Sequence, residues 1–64
     1  MPVVEVKMLA GRNKEQKTLL VKAITQAMVE VLDVNPDGVH VILQDIPRED
    51  WARGGILFSE RQKG

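Results

Sequence analysis

Proline stands at position 2, directly behind the initial methionine. Initiator methionine is usually removed when a small residue follows, and its loss would turn the Pro2 nitrogen from an amide into a secondary amine on a rigid ring. An ordinary α-amino group titrates at about 7.7–8.0. Apolar surroundings and a neighbouring cation disfavour the protonated form and lower that value. A neutral amine at physiological pH can take a proton from a position next to a carbonyl and return it elsewhere in the same molecule. The same Met-Pro start also suits a strand whose first residue needs no backbone donor, so Pro2 alone does not decide the matter.

Arg12 follows Gly11 and precedes a helix-like segment. Its planar guanidinium suits a substrate carboxylate, which it would hold through two parallel hydrogen bonds. It also suits charge developing on a carbonyl oxygen; a solvated loop arginine is the plainer alternative. Trp51 is the only tryptophan and would supply an apolar wall that keeps an amine poorly solvated, or else pack in a core or interface. His40 is the only histidine and reads as a donor, a base or a packing residue. Arg48, Arg53 and Arg61 read as surface charge individually, yet any of them would be available to a site formed between subunits. Gly54-Gly55 suits a tight turn, and no phosphate-loop pattern surrounds it.

These residues need elements to position them. Val3-Val4-Glu5-Val6-Lys7-Met8-Leu9 is rich in β-branched residues and predicts a strand, with Val4, Val6 and Met8 on one face and Ala10-Gly11 ending it. Leu20, Ile24, Ala27, Met28 and Val31 then recur at helical spacing, widened by Leu19, Ala23 and Leu32. Asn13 predicts an N-cap, with Gln16 closing a capping box. Asn35-Pro36-Asp37-Gly38 stops the helix and turns the chain. Val39 to Gln44, extending toward Ile46, predicts a second strand. A long crossover helix between two strands predicts a parallel, right-handed β-α-β unit. Beyond Pro47, a turn or short helix is expected over Arg48–Ala52, then a short hairpin or edge strand at Ile56-Leu57-Phe58. The polar tail from Ser59 to Gly64 is expected to fray.

The whole chain of 64 residues makes one domain, 1–64, near the lower limit for a chain that must hide its own apolar surface. Small domains of this size usually rely on disulfides, a metal or partner subunits. The chain has no cysteine and one histidine, which excludes a disulfide staple and a thiolate metal site and tells against a structural metal. Yet 44% of its residues are hydrophobic, too many for a disordered chain. One face of a two-stranded sheet, through Val39, Val41 and Leu43 or through Ile42 and Ile46, would remain bare after the helix has covered the other. Self-association is therefore expected. Nine basic residues balance nine acidic ones, with no basic stripe of the kind that binds nucleic acid. No segment has the length of apolar run that spans a membrane, and no basic-then-apolar leader is visible, so the expected compartment is the cytoplasm.

The separate signals meet in one family. Met1-Pro2 before a short strand, Leu9-Ala10-Gly11-Arg12-Asn13-Lys14-Glu15-Gln16-Lys17 opening the helix, the Val39–Leu43 strand, an aromatic at position 51 and Gly54-Gly55 together resemble the 4-oxalocrotonate tautomerase family of the tautomerase superfamily. The likeness runs to about Ser59. It implies an α/β (α+β) chain with the β-α-β tautomerase fold: two parallel strands, one long crossover helix and a short C-terminal hairpin. Oligomerisation would complete it, usually as a hexamer formed from three dimers.

The resemblance further implies an isomerase without metal or cofactor, tied to aromatic-hydrocarbon catabolism. It would convert enol or dienol forms of 2-oxo acids such as 2-hydroxymuconate to keto forms. Pro2 would be the general base and Arg12 the carboxylate binder, with Trp51 in place of the family's usual phenylalanine in the pocket wall. His40 stands where the well-known tautomerase has a second arginine, supplied by a neighbouring subunit. Arg48 or Arg53 would then be available for the missing contact, and arylpyruvate enols become reasonable substrates. Two further outcomes on the same fold are hydration with dehalogenation of 3-haloacrylates, with Glu49 or Asp50 as the acidic partner, and a catalytically silent oligomeric scaffold.

Overall fold

A computed structural model of the chain describes residues 1–61; the end of the tail expected to fray, residues 62–64, lies outside the described residues. Strand β1 spans Val3–Leu9, helix α1 Lys14–Leu32 and strand β2 His40–Ile46. The two strands pair in parallel, from Val3 opposite His40 to Leu9 opposite Ile46. The ladder is prolonged at both ends, by the His40 amide donating to the Pro2 carbonyl at 3.0 Å and the Ala10 amide donating to the Ile46 carbonyl at 2.9 Å. Strand β2 begins one residue later than the hydropathy suggests. Val39 instead closes the short 3-10 turn Pro36–Gly38, its amide donating to the Pro36 carbonyl.

Gly11 has φ +131, a conformation that L side chains rarely adopt, and it turns the chain out of β1. Asn13 then caps α1 as its sequence predicts. Its side chain accepts from the Gln16 amide at 2.8 Å, and the Gln16 side chain accepts from the Asn13 amide at 3.1 Å. Both bonds satisfy first-turn donors that would otherwise lack a partner. The helix ends with Asp33 in the left-handed region, φ 56, its amide donating to the Val29 carbonyl.

The helical stripe is rotated from the one expected. Lys17, Val21, Ile24 and Met28 are the half-buried positions toward the sheet, with Thr25 and Val29 alongside. Leu20 and Val31 are instead exposed, Val31 to 80%. The ion pair of Lys17 with Asp45 joins the first turns of α1 to the end of β2 on that same side. Leu19, Leu20, Ala23, Ala27 and Val31 form a second, uncovered apolar band. On the sheet, Val4, Val6 and Met8 of β1 and Val41 and Leu43 of β2 share the helix-facing side. Ile42 lies on the opposite face, 50% exposed, opposite Glu5 in the ladder.

Beyond β2, a 3-10 turn at Arg48–Asp50 leads into a two-stranded antiparallel hairpin, β3 (Ala52–Arg53) and β4 (Ile56–Leu57). Gly54 and Gly55 form its two-residue loop with φ +61 and +80, the pair of positive values required by the hairpin turn that matches strand twist. A final 3-10 turn covers Phe58–Glu60.

No side chain among the described residues is fully buried. A compact monomer of 7.2 kDa would expose about 4,100 Å², whereas this chain exposes 5198 Å². Its radius of gyration is 15.0 Å, against about 10.7 Å for a compact domain of this length. The fold has the dimensions of a subunit whose core is shared.

Candidate active site

The parallel sheet has two chemically distinct ends. Pro2 sits at the head, half-buried, with only Met1 before it, 88% exposed. His40 is its backbone neighbour through the amide-to-carbonyl bond described above. The alternation of side chains places His40 with Val3 on the uncovered face and Pro2 on the helix side. The histidine is therefore adjacent in the ladder without sharing Pro2's face.

Arg12 lies at the other end. Seven residues of β1 separate it from Pro2, about 20 Å of extended chain, which is farther than an arginine side chain reaches. Arg12 borders a groove of about 200 Å³ with Met8, Gln16, Lys17 and Leu20, a mixture of apolar and polar side chains. A larger apolar groove of about 450 Å³, between α1 and the Pro36 turn, carries none of the expected site residues.

The hairpin starts at the same end as Arg12, because β2 finishes opposite Leu9. Its register follows from the two-glycine loop: Arg53 faces Ile56, Ala52 faces Leu57, and the Phe58 amide donates to the Trp51 carbonyl at 2.7 Å. The rings of Trp51 and Phe58 meet with centroids 5.9 Å apart and planes tilted by 35°. The guanidinium carbons of Arg48, Arg53 and Arg61 stand 5.8, 5.7 and 5.7 Å from the Phe58 centroid. Arg48 donates to the Phe58 carbonyl at 3.4 Å and Arg61 to the Arg53 carbonyl at 2.7 Å.

Thus Trp51, Arg48 and Arg53, all expected from sequence as site residues, are brought together, while Pro2 and Arg12 are held apart. Arg61, named with Arg48 and Arg53 as available to a site, and Phe58, which was not, complete the cluster. The signal for Phe58 was present: a two-residue Gly-Gly loop fixes residue 51 opposite residue 58. Among the described residues no three metal-ligating side chains cluster, and no helix is long and apolar enough to cross a membrane.

A family model described as tautomerase enzyme matches residues 2–61, nearly the whole described chain and beginning at the proline. The chain belongs to the 4-oxalocrotonate tautomerase family. It is an enzyme of the isomerase class. It is 35% identical to the 2-hydroxymuconate tautomerase of Comamonas testosteroni over 94% of its own length and 95% of that protein's. The crystal structure of a 4-oxalocrotonate tautomerase homologue superposes with a TM-score of 0.91 at 38% identity, covering 98% of this chain and 100% of the other. A heterohexamer 4-oxalocrotonate tautomerase from Chloroflexus aurantiacus gives 0.89 at 35% identity, over 97% and 100%. The β-α-β unit with parallel strands and the short antiparallel hairpin read from the sequence are the tautomerase fold.

Proposed function

We propose that the chain, freed of Met1, ketonises enol or dienol forms of 2-oxo acids of the 2-hydroxymuconate type, with Pro2 as the base. The ring nitrogen accepts the proton of the enol hydroxyl, the conjugated electrons shift, and the ammonium returns that proton to a carbon of the substrate. One O–H bond and one C=C bond are exchanged for one C–H and one C=O. No oxidant or reductant is consumed. Arg12 holds a carboxylate and draws electron density toward it. Trp51 is the apolar wall that limits solvation of the amine. His40 and the hairpin arginines Arg48 and Arg53 are the remaining polar groups offered to the substrate.

The observation that carries this reading is the placement of Pro2 and Arg12 at opposite ends of β1, in a protomer that buries none of its described side chains. A base and a carboxylate clamp meet in such a fold only when protomers assemble. The uncovered faces around Ile42 and along Leu19, Ala23 and Val31 are the surfaces that assembly would cover. We take the homo-oligomer to be a hexamer, in line with the six-chain relative from Chloroflexus.

The test is an intact-mass measurement paired with ketonisation of 2-hydroxymuconate by the same sample. Protein lacking Met1 is expected to turn the dienol over, and Pro2→Ala to remove most of that rate while leaving assembly intact. A processed wild-type protein that moves no proton, or a Pro2→Ala variant as fast as wild type, would refute the mechanism. Faster conversion of 3-haloacrylates than of enols would assign the site to hydration with dehalogenation instead.

A further inference from the structure

We infer that Gln16 is a further substrate-binding residue, whose side-chain NH2 donates to the carboxylate that Arg12 holds. This rests on the carboxylate-binding role proposed above for Arg12, and it adds a neutral donor to that ionic contact.

The two halves of the Gln16 amide have different employment. Its Oε1 accepts from the Asn13 amide at 3.1 Å, while the Gln16 backbone amide donates to Asn13 Oδ1 at 2.8 Å. A backbone N–H can be met only by an acceptor, so Oε1 must face Asn13 and the group cannot flip. The NH2 is thereby fixed as the free half. Among the described residues it meets no protein acceptor. Gln16 and Arg12 line one groove, with Met8, Lys17 and Leu20. Gln16 is exposed, so a ligand entering that groove reaches the NH2 without displacing a protein partner.

The residue type is informative in itself. A capping box closes with Glu or Gln at this position, and the charge of Glu would interact better with the start of the helix. Glu15 already places a carboxylate in the first turn, but adjacent helical residues do not face one another. At position 16 a carboxylate would border the groove with Arg12, compete for the guanidinium and repel an anionic ligand. Glutamine keeps the cap and leaves Arg12 uncommitted. The other cation of the groove is already engaged: Lys17 pairs with Asp45, the only ion pair among the described residues. One free guanidinium and one neutral amide, beside Met8 and Leu20, suit a single carboxylate on an apolar chain, its lone pairs shared between the two donors.

The test uses assembled protein freed of Met1 and hexanoate, a saturated carboxylate with no enol to ketonise, titrated by calorimetry. Gln16→Met removes the NH2 and the cap acceptor without adding charge. Asn13→Ala breaks the same capping box and leaves the NH2 in place. Gln16→Glu preserves the box and puts an anionic oxygen where the NH2 was. Gln16→Met is expected to weaken hexanoate binding about tenfold or more, the usual effect of losing a hydrogen bond to a charged group. Gln16→Glu is expected to weaken it further, although its helix is as well capped as in wild type. Asn13→Ala is expected to bind close to wild type. In turnover, Gln16→Met should raise KM for 2-hydroxymuconate by a similar factor with kcat little changed, the pattern of a contact made equally in ground and transition states. Circular dichroism and assembly size confirm that each variant folds.

Hexanoate affinity absent in wild type, unchanged in Gln16→Met, or lowered equally by Asn13→Ala overturns the inference and leaves Gln16 a capping residue only. A loss confined to Gln16→Glu also overturns it, because repulsion alone would account for that. If Arg12→Ala binds hexanoate as wild type does, the role of Arg12 fails and the inference with it. The titration needs no turnover. Gln16-dependent binding by a protein that moves no proton would support the contact while refuting the Pro2 mechanism; an active enzyme whose affinity ignores Gln16→Met would do the reverse.

Discussion

The head of the sheet and its far end differ in almost every chemical respect. At the head, Pro2 is followed by apolar strand residues and accompanied by His40, with no arginine in the neighbouring sequence. At the far end, Arg12 opens a helix, and three more guanidiniums surround Phe58. One end is suited to keeping an amine uncharged, the other to holding anions. The two ends lie a strand-length apart in one chain, so on the proposed mechanism the base and the cations meet only when protomers come together.

The largest effect expected from disturbing this arrangement is the loss of the base. Pro2→Ala in processed protein should lower kcat about 10²–10⁴-fold, the usual range for a positioned general base, measured by ketonisation of 2-hydroxymuconate. Arg12→Ala should cost about 10²–10³-fold, as for a donor aimed at developing charge, with carboxylate-bearing substrates most affected. A sharper test combines the two. If each site takes Pro2 from one protomer and Arg12 from another, co-assembly of equal amounts of Pro2→Ala and Arg12→Ala chains should recover about a quarter of wild-type activity, as random mixing in a symmetric oligomer dictates. No recovery would mean that both residues come from one chain.

Smaller effects separate the site from its supports. Asn13→Ala removes the cap that starts α1 immediately after Arg12, and should cost about 1 kcal/mol of stability, read by denaturant unfolding at fixed protein concentration. Asp45→Asn breaks the pair with Lys17. Both partners are about one-third exposed, at 33% and 37%, so solvent screening limits the loss to about 1 kcal/mol at most.

Much of this was legible in the sequence because short-range chemistry dictated it. The Asn13–Gln16 box, the alternating Val4, Val6 and Met8, and the Gly54-Gly55 turn each depend on residues a few positions apart. The roll of α1 was not legible. Val21 and Val31 are equally apolar, and which of them faces the sheet depends on how the whole helix packs against β1 and β2, through contacts between residues far apart in the sequence. The expected site was legible as a set of residue types and not as an arrangement. Pro2, Arg12, His40 and Trp51 stand out by identity or position, whereas the separation of Pro2 from Arg12 depends on strand length. The gathering of Arg61 onto Phe58 depends on the fold of the hairpin and the turn that follows it.

The absence of a buried side chain among the described residues also sets a concentration law. A chain that completes its core only by association couples folding to protein concentration. Its melting temperature should therefore climb as more protein is added, and its specific activity should fall on dilution below the assembly constant. Recovery on reconcentration should follow kinetics of higher than first order, the signature of protomers finding one another.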